Sequence, residues 1–148
     1  MVVDGVGVLI RGRPGSGKSL AALNLVRRGH RFVADDLVEI VPGSEGELIG
    51  GPVEGDVRIE IRGVGVFRAR ALFPEALAPS TRIDLVVDLD AYDPARDTGR
   101  LAPETSETLI LGRKVLTVRV PVANAMDPAI IIELLARLYR KNGSVIPS

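Results

Sequence analysis

The 148-residue sequence predicts an α/β fold, built as one domain over residues 1–148 with a mixed sheet and packing helices. An apolar run, a glycine-rich segment and a helical pattern follow one another over residues 6–29, which is a strand–loop–helix order. Further short apolar runs bounded by glycine and proline predict more strands, and an amphipathic segment at residues 128–142 predicts a closing helix.

The composition argues against several classes of protein. Lysine plus arginine and aspartate plus glutamate number 19 each, so the overall charge gives no reason to expect nucleic acid or an anionic membrane as a partner. The sequence has no cysteine, which excludes disulfides and thiolate metal sites. Because no apolar run approaches membrane-spanning length and the first residues lack a signal-peptide pattern, we expect a cytoplasmic protein.

The glycine-rich segment matches G-x-x-x-x-G-K-[ST], the pattern of a phosphate-binding loop. Glycines let successive N–H groups turn toward a polyphosphate, and the helix opening beside Lys18 adds its unpaired N–H groups and the positive end of its dipole. Lys18 would contact the outer phosphates, and the Ser19 hydroxyl could bind Mg²⁺. A chance glycine-rich turn is the alternative, but the preceding strand and the acidic pair downstream favour nucleotide binding. The predicted cofactor-binding residues are Gly12, Arg13, Pro14, Gly15, Ser16, Gly17, Lys18 and Ser19.

The helix after the loop is predicted from its apolar spacing and its end. Leucine, valine and alanine recur at helical intervals, and two arginines suit the last turn. Gly29 is a natural C-terminal cap. The predicted apolar face consists of Leu20, Ala22, Leu23, Leu25 and Val26.

Two adjacent carboxylates, Asp35 and Asp36, follow an apolar run at residues 32–34 that we interpret as a second strand. One carboxylate could hold Mg²⁺ while the other accepts a proton from an attacking hydroxyl. Since side chains alternate along an extended segment, the two need not share a role. A solvated turn is the alternative, but the apolar run and the upstream loop favour the functional interpretation.

The rest of the chain predicts more strands and a second long helix. A polar loop or mobile flap is expected over residues 90–106. The closing helix begins with Asp127 as its N-cap and Pro128 in its first turn, and it stops at Asn142 and Gly143. Strands are predicted at residues 37–41, 47–50, 57–61, 83–89 and 115–120. The closing helix is expected to pack through Ile130, Ile131, Leu134, Leu135 and Leu138.

Glu60 and Arg62 lie two residues apart, on one face of a predicted strand. They could form an exposed ion pair, which would contribute little to stability. They could also lie at the metal and the phosphates. The residue pattern alone leaves both interpretations open.

Several segments resemble the catalytic domain of HPr kinase/phosphorylase. The resemblance covers nearly the whole chain and includes two separate signatures, so it is far more specific than a phosphate loop alone. The matching segments are Gly-Val-Gly-Val-Leu-Ile (5–10), Arg-Gly-His-Arg (28–31), Val-Ala-Asp-Asp (33–36), Val-Glu-Ile (38–40), Glu-Ile-Arg-Gly-Val-Gly-Val (60–66), Leu-Phe (72–73), Pro-Val (121–122) and Ile-Ile-Glu (131–133).

The resemblance implies a phosphotransferase fold akin to phosphoenolpyruvate carboxykinase. It implies that ATP, with Mg²⁺, phosphorylates a serine of the phosphocarrier protein HPr, and that phosphorolysis runs in reverse. By the same resemblance, Lys18 holds phosphate, Ser19 and Glu60 bind the metal, and Asp36 accepts the proton. Asp35 is then expected to act in metal binding. The chain could also assemble with copies of itself as a homo-oligomer.

The sequence departs from the family pattern in three places. The family's catalytic histidine precedes the first strand and would fall before Met1, whereas His30 matches the histidine at the helix end. Where the family has Pro-Val-Arg-Pro-Gly-Arg-Asn, residues 121–127 read Pro-Val-Ala-Asn-Ala-Met-Asp, so both arginines tied to phosphorolysis are replaced. Arg100 is the residue of this sequence that comes nearest to matching the family's catalytic arginine.

We therefore predict a serine kinase whose reverse reaction is weak or lost, with Asp36, Lys18 and Arg100 as candidate catalytic residues. One alternative is a diverged relative that phosphorylates another protein or a small hydroxylated molecule. The other is a nucleotide-binding regulatory module that has lost catalysis.

Overall fold

The computed structural model describes residues 1–53 and 55–147. Within them, a mixed five-stranded sheet packs against two long helices. The strands are β1 (Val2–Val3), β2 (Val6–Gly12), β3 (Val38–Pro42), β4 (Leu48–Pro52), β5 (Arg58–Ile61), β6 (Gly65–Arg68), β7 (Thr81–Arg82), β8 (Leu85–Ala91), β9 (Glu104–Ile110) and β10 (Arg113–Val122). The helices are α1 (Lys18–Arg27), α2 (Ala69–Leu72), α3 (Pro94–Asp97) and α4 (Pro128–Asn142).

The large sheet has the strand order β1-β2-β8-β10-β9. Its three middle strands are parallel, and an antiparallel strand closes each edge. The carboxyl ends of parallel strands share one edge of a sheet, and β2 delivers Gly12 there opposite Leu89 of β8. The predicted α/β class and mixed sheet are confirmed.

Two smaller antiparallel sheets flank the large one. One has the order β3-β4-β7, and the other is the hairpin β5-β6. Of the strands expected from the sequence, those matching β2, β3, β4, β5, β8 and β10 are confirmed, with ends shifted by at most two residues. No helix in residues 1–53 and 55–147 has both the length and the apolarity needed to cross a bilayer.

The core lies between the large sheet and helices α1 and α4. Leu25 of α1 and Ile132 of α4 are fully buried against strand residues such as Val8. Phe32 is also fully buried, and its ring meets that of Phe73 edge-to-face at a centroid distance of 5.5 Å.

The predicted packing faces of both helices need correction. Leu20 of α1 is 60% exposed, and Ile130 and Leu134 of α4 are 45% and 50% exposed. The other predicted residues Leu23, Val26 and Ile131 do pack against the core. Counting large apolar residues went wrong at the three exposed positions because alanines make up much of each contact, where a small side chain allows close approach. The buried positions are Ala21, Ala22 and Leu25 on α1, and Ala129, Ile132, Leu135 and Ala136 on α4.

The helix ends behave as predicted. Gly29 takes φ +92°, and its N–H and that of His30 close on the carbonyls of Val26 and Leu25, which is a Schellman cap. At the start of α4, the Asp127 carboxylate accepts from the N–H of Ala129.

Two predictions about irregular segments are wrong. Residues 32–34 form no strand, because this part of the chain pairs only through isolated bridges, Val2 with Arg31 and Phe32 with Leu77. Residues 90–106 are not one long loop. They contain α3, and β9 begins at Glu104 because that residue pairs with Arg119 of β10.

Candidate active site

The glycine-rich loop connects the carboxyl end of β2 to the first turn of α1. Gly15 and Gly17 take φ +83° and +93°, a region that favours glycine. Gly12 is needed for space, since a Cβ there would lie 2.3 Å from Ser16 Oγ and 3.0 Å from the Leu89 carbonyl oxygen. The loop thus has the close-packed, left-handed geometry that turns backbone N–H groups inward.

Lys18 lies across the mouth of this loop. Its Nζ donates to the carbonyl oxygens of Gly12 at 2.8 Å and Arg13 at 3.3 Å. Ser16 Oγ is buried and has no hydrogen-bond partner among the described residues. An orphaned hydroxyl beside a cation and a helix N-terminus fits a site for an oxygen-rich anion such as phosphate.

Asp35 ties the start of α1 to the β5–β6 hairpin. Ser19 Oγ donates to its Oδ1 at 3.2 Å, and the N–H of Glu60 donates to its Oδ2 at 3.1 Å. Burial raises the pKa of the Asp35 carboxyl and the charge of Asp36 adds to the effect, although the two hydrogen bonds oppose it. Both carboxylate oxygens of Asp35 are therefore already engaged.

Asp36 is placed differently from its neighbour. Its side chain is exposed and makes no hydrogen bond with any residue in 1–53 or 55–147. It lines two clefts that also share Glu60. The first cleft, of about 560 Å³, is lined by Pro14, Gly15, Gly17, Lys18, Ser19, Leu20, Asp36, Glu60, Ile61, Arg62 and Val64. The second, of about 510 Å³, is lined by Ala34, Asp35, Asp36, Leu37, Pro52, Val53, Asp56, Val57, Arg58, Glu60 and Val66.

The oxygen donors of this region suit a small hard cation. The Ser19 hydroxyl and an Asp35 oxygen are in contact, and Glu60 belongs to the same two clefts as Asp36. Among the described residues no group of three or more acidic or histidine side chains could hold a metal alone. Hydroxyl and carboxylate oxygens, as in Ser19, Asp35 and Glu60, are the type of ligand that Mg²⁺ takes, together with water and substrate phosphates.

Arg100 is not among the residues that line the first cleft. It pairs with Glu104 at 3.4 Å, near a charged cluster centred on Arg119. Arg119 has an 11% exposed side chain and donates to Asp97 at 2.7 Å and Asp90 at 2.8 Å. Its hydrogen bonds hold the pKa of both aspartates below the usual range. The cluster joins the ends of β8, α3 and β10 to the start of β9.

His30 has a structural environment away from the loop. It is buried, its Nδ1 accepts from the N–H of Asp4 at 3.3 Å, and its Nε2 lies 3.3 Å from Glu133 of α4. Burial alone would raise the pKa of Glu133, but the hydrogen bond from Arg28 and the proximity of His30 hold it below its usual value. This agrees with the interpretation of His30 as a residue of the helix end.

Of the predicted site residues, Lys18, Ser19, Asp36 and Glu60 line one cleft, and Asp35 contacts two of them. Arg13 is exposed and is not among the residues that line this cleft. The sequence left the place of Arg62 open, and the structure brings it into the first cleft. The spacing from Glu60 was the only available signal, although Arg62 lies in the turn after Ile61 and not in β5 itself.

This fold and site define an α/β protein with a phosphate loop at the carboxyl edge of its parallel strands. The family model described as "HPr Serine kinase C-terminal domain" matches residues 1–148, and the chain belongs to this family. The resemblance read from the sequence is thereby confirmed.

Individual relatives agree with this assignment. The chain is 43% identical over 140 residues to an HPr kinase/phosphorylase from Geobacillus sp. (strain WCH70), covering 93% of the chain and 45% of the relative. It is 40% identical over 144 residues to one from Alkaliphilus metalliredigens (strain QYMF), covering 95% and 46%. The chain thus spans less than half the length of these curated relatives.

A solved structure also matches the fold. The HPr(Ser) kinase/phosphatase from Coxiella burnetii aligns with a TM-score of 0.83 and 29% identity, covering 96% of this chain and 87% of that chain.

Proposed function

We propose that residues 1–148 form the catalytic domain of an ATP- and Mg²⁺-dependent serine kinase that phosphorylates the phosphocarrier protein HPr or a similar protein. The observation that carries this is the meeting of Lys18, Ser19, Asp36 and Glu60 in one cleft beside the glycine-rich loop. Membership of the HPr serine kinase family supplies the substrate class. A cytoplasmic location and a homo-oligomer stay predictions.

In the proposed reaction, the loop N–H groups, the N-terminus of α1 and the Lys18 ammonium bind the phosphates of ATP. Ser19, Asp35 and Glu60 would hold Mg²⁺, which when bound neutralises charge on the transferred phosphoryl group. Asp36 accepts the proton from the seryl oxygen of the acceptor as that oxygen attacks. Asp36 suits this role better than Asp35, because both oxygens of Asp35 already accept hydrogen bonds.

We further propose that the reverse reaction is weak or lost. Phosphorolysis brings inorganic phosphate against a phosphoserine, so two anionic groups must lie close together. Arginine suits such a site because its planar fork binds phosphate oxygens in pairs and keeps its charge. Ala123 and Met126 stand where the family has arginines, and Asp127 adds a carboxylate that is occupied in capping α4.

Transfer to a protein serine tests this function. The chain is incubated with labelled ATP, Mg²⁺ and HPr, and phosphoserine is quantified beside the Lys18→Ala variant as a matched control. We expect Mg²⁺-dependent label on HPr with wild type and little with the variant. Binding of MgATP without transfer to HPr would contradict HPr as the acceptor of this kinase.

A nucleotide-binding regulatory module is a second candidate. Two observations favour it: Arg100 is paired with Glu104 and does not line the loop cleft, and both arginines of the family's phosphorolysis run are replaced. Such a module would bind MgATP and show no transfer to any hydroxylated acceptor. A diverged relative would instead transfer phosphate to an acceptor other than HPr.

A further inference from the structure

Arg62 lies against the glycine-rich loop although it belongs to a different part of the chain. A Cβ atom added to Gly15 would lie 3.1 Å from Nη1 of Arg62 and 3.7 Å from its Cζ. The guanidinium therefore lies over the peptide of Gly15. It also lines the same cleft as Lys18 and Ser19.

The hairpin that carries Arg62 is fixed relative to the loop. Ile59 of β5 is fully buried, which anchors the strand in the core. The next residue, Glu60, donates its N–H to Asp35, and Asp35 accepts from Ser19 at the start of α1. Arg62 follows Ile61, the last residue of β5, as the first residue of the turn, and it lines the cleft together with Glu60.

The guanidinium of Arg62 is free to bind a ligand. Arg62 is exposed, and within residues 1–53 and 55–147 it makes neither a hydrogen bond nor an ion pair. By contrast, Arg68 on the other strand of the hairpin pairs with Asp56 at 3.3 Å. An uncommitted arginine held beside a phosphate loop presents its planar donors to phosphate oxygens.

We propose that Arg62 is a second nucleotide-binding cation, which contacts phosphate oxygens of ATP in the cleft that it lines together with Lys18. MgATP keeps a net negative charge, and Lys18 and Arg62 are the two basic residues that line this cleft, so together they offset it. This inference rests on the proposed function, since it takes the cleft to be the ATP site. In this arrangement Gly15 has a second role, because the absence of a Cβ atom leaves room for the Arg62 guanidinium.

Calorimetric titration of the chain with MgATP tests the assignment. Arg62→Ala is expected to bind about 10- to 100-fold more weakly than wild type, the range for a lost hydrogen bond to a charged group. Arg62→Lys should recover part of that loss, because lysine keeps the charge but not the fork. Arg70→Ala is the matched control: it removes an exposed arginine that lies just after the same hairpin and lines neither cleft, and it should bind MgATP like wild type.

A salt series adds a readout that a general loss of structure would not produce. Binding by wild type should weaken more steeply with added salt than binding by Arg62→Ala, because one screened cation is missing from the variant. The unfolding midpoint without nucleotide should be the same for both, since Arg62 is exposed and unpaired within the described ranges.

Two results would overturn the proposal in distinguishable ways. If Lys18→Ala loses MgATP while Arg62→Ala binds it like wild type with the same salt dependence, the Arg62 assignment is wrong and the proposed function stands. If wild type itself does not bind MgATP, the ATP site is wrong and the Arg62 assignment falls with it.

Discussion

The hydroxyl of Ser19 donates to the carboxylate of Asp35 across 3.2 Å, although the two residues are 16 positions apart in the chain. This bond joins the first turn of α1 to the segment that carries both aspartates. It places a hydroxyl and a carboxylate oxygen side by side, where Mg²⁺ would need them. The β5–β6 hairpin is attached to the same carboxylate through the N–H of Glu60.

The Asp35 carboxyl should make stability depend on pH in a defined direction. Its pKa is raised in the folded state by burial, so the folded protein holds this proton more tightly than the unfolded chain does. The contribution of the Asp35 carboxyl to the free energy of unfolding therefore falls as the pH rises from the ordinary aspartate pKa through the raised pKa of the folded state. The free energy of unfolding of Asp35→Asn, measured relative to that of wild type, should therefore increase as the pH is raised from about 4 to about 7. Urea unfolding at both pH values checks this, and an opposite trend would contradict it.

Lys18→Ala should leave the fold intact and weaken MgATP binding roughly tenfold or more, because a charge-assisted contact to phosphate is lost. Within the described part of the chain, Lys18 Nζ makes hydrogen bonds only to carbonyl oxygens of its own loop, so its removal leaves no buried partner charge there. Arg13→Ala is the companion variant, with a smaller expected loss because Arg13 is exposed and is not among the residues that line the loop cleft. Equal calorimetric affinities of wild type and Lys18→Ala would show that this loop does not bind the phosphates.

Arg119→Met should destabilise the protein most at neutral pH. Hydrogen bonds from Arg119 keep the pKa of Asp97 and Asp90 below the usual range. The stability that these carboxylates contribute is therefore complete at a pH above the ordinary aspartate pKa, and it is lost as the pH falls through their lowered pKa values in the folded state. Asp97 has a 2% exposed side chain and would be left without its arginine. The difference in unfolding free energy between wild type and variant should therefore be larger at pH 7 than near pH 3. A difference that does not change with pH would contradict this account.

The sequence was sufficient for the parts of the site that depend on local chemistry. A phosphate loop needs glycines at fixed offsets, and the Gly29 and Asp127 caps each depend on a few adjacent residues. The place of Arg62 could not be derived, because it depends on how a hairpin some 45 residues downstream packs against the loop.

The errors have the same origin in tertiary structure. Leu20 fits an apolar helix pattern, yet it is exposed because the first turn of α1 lines the cleft and does not face the core. Residues 32–34 have the composition of a strand, but the large sheet pairs β2 with β8, and only isolated bridges remain for Phe32. The segment after β8 looked like a loop because its order comes from Arg119, a residue of another strand.

The forward reaction should exceed the reverse one. With phosphorylated HPr and millimolar phosphate, release of pyrophosphate is expected to be weak or undetectable beside measurable forward transfer. The reason is charge: Ala123 and Met126 provide no cation for a second phosphate where the family has arginines. Pyrophosphate released as fast as the forward reaction proceeds would show that these arginines are not needed.

We propose above all that Asp36 accepts the proton of an acceptor serine at a cleft that binds MgATP, and single-turnover transfer tests this role most directly. Asp36→Asn keeps the shape of the side chain but cannot accept the proton. Removing a positioned general base costs about 10²–10⁴-fold in rate. With MgATP binding shown to be intact by calorimetry, transfer to HPr by Asp36→Asn should fall by that factor relative to wild type. Equal transfer rates at equal MgATP affinity would contradict the claim.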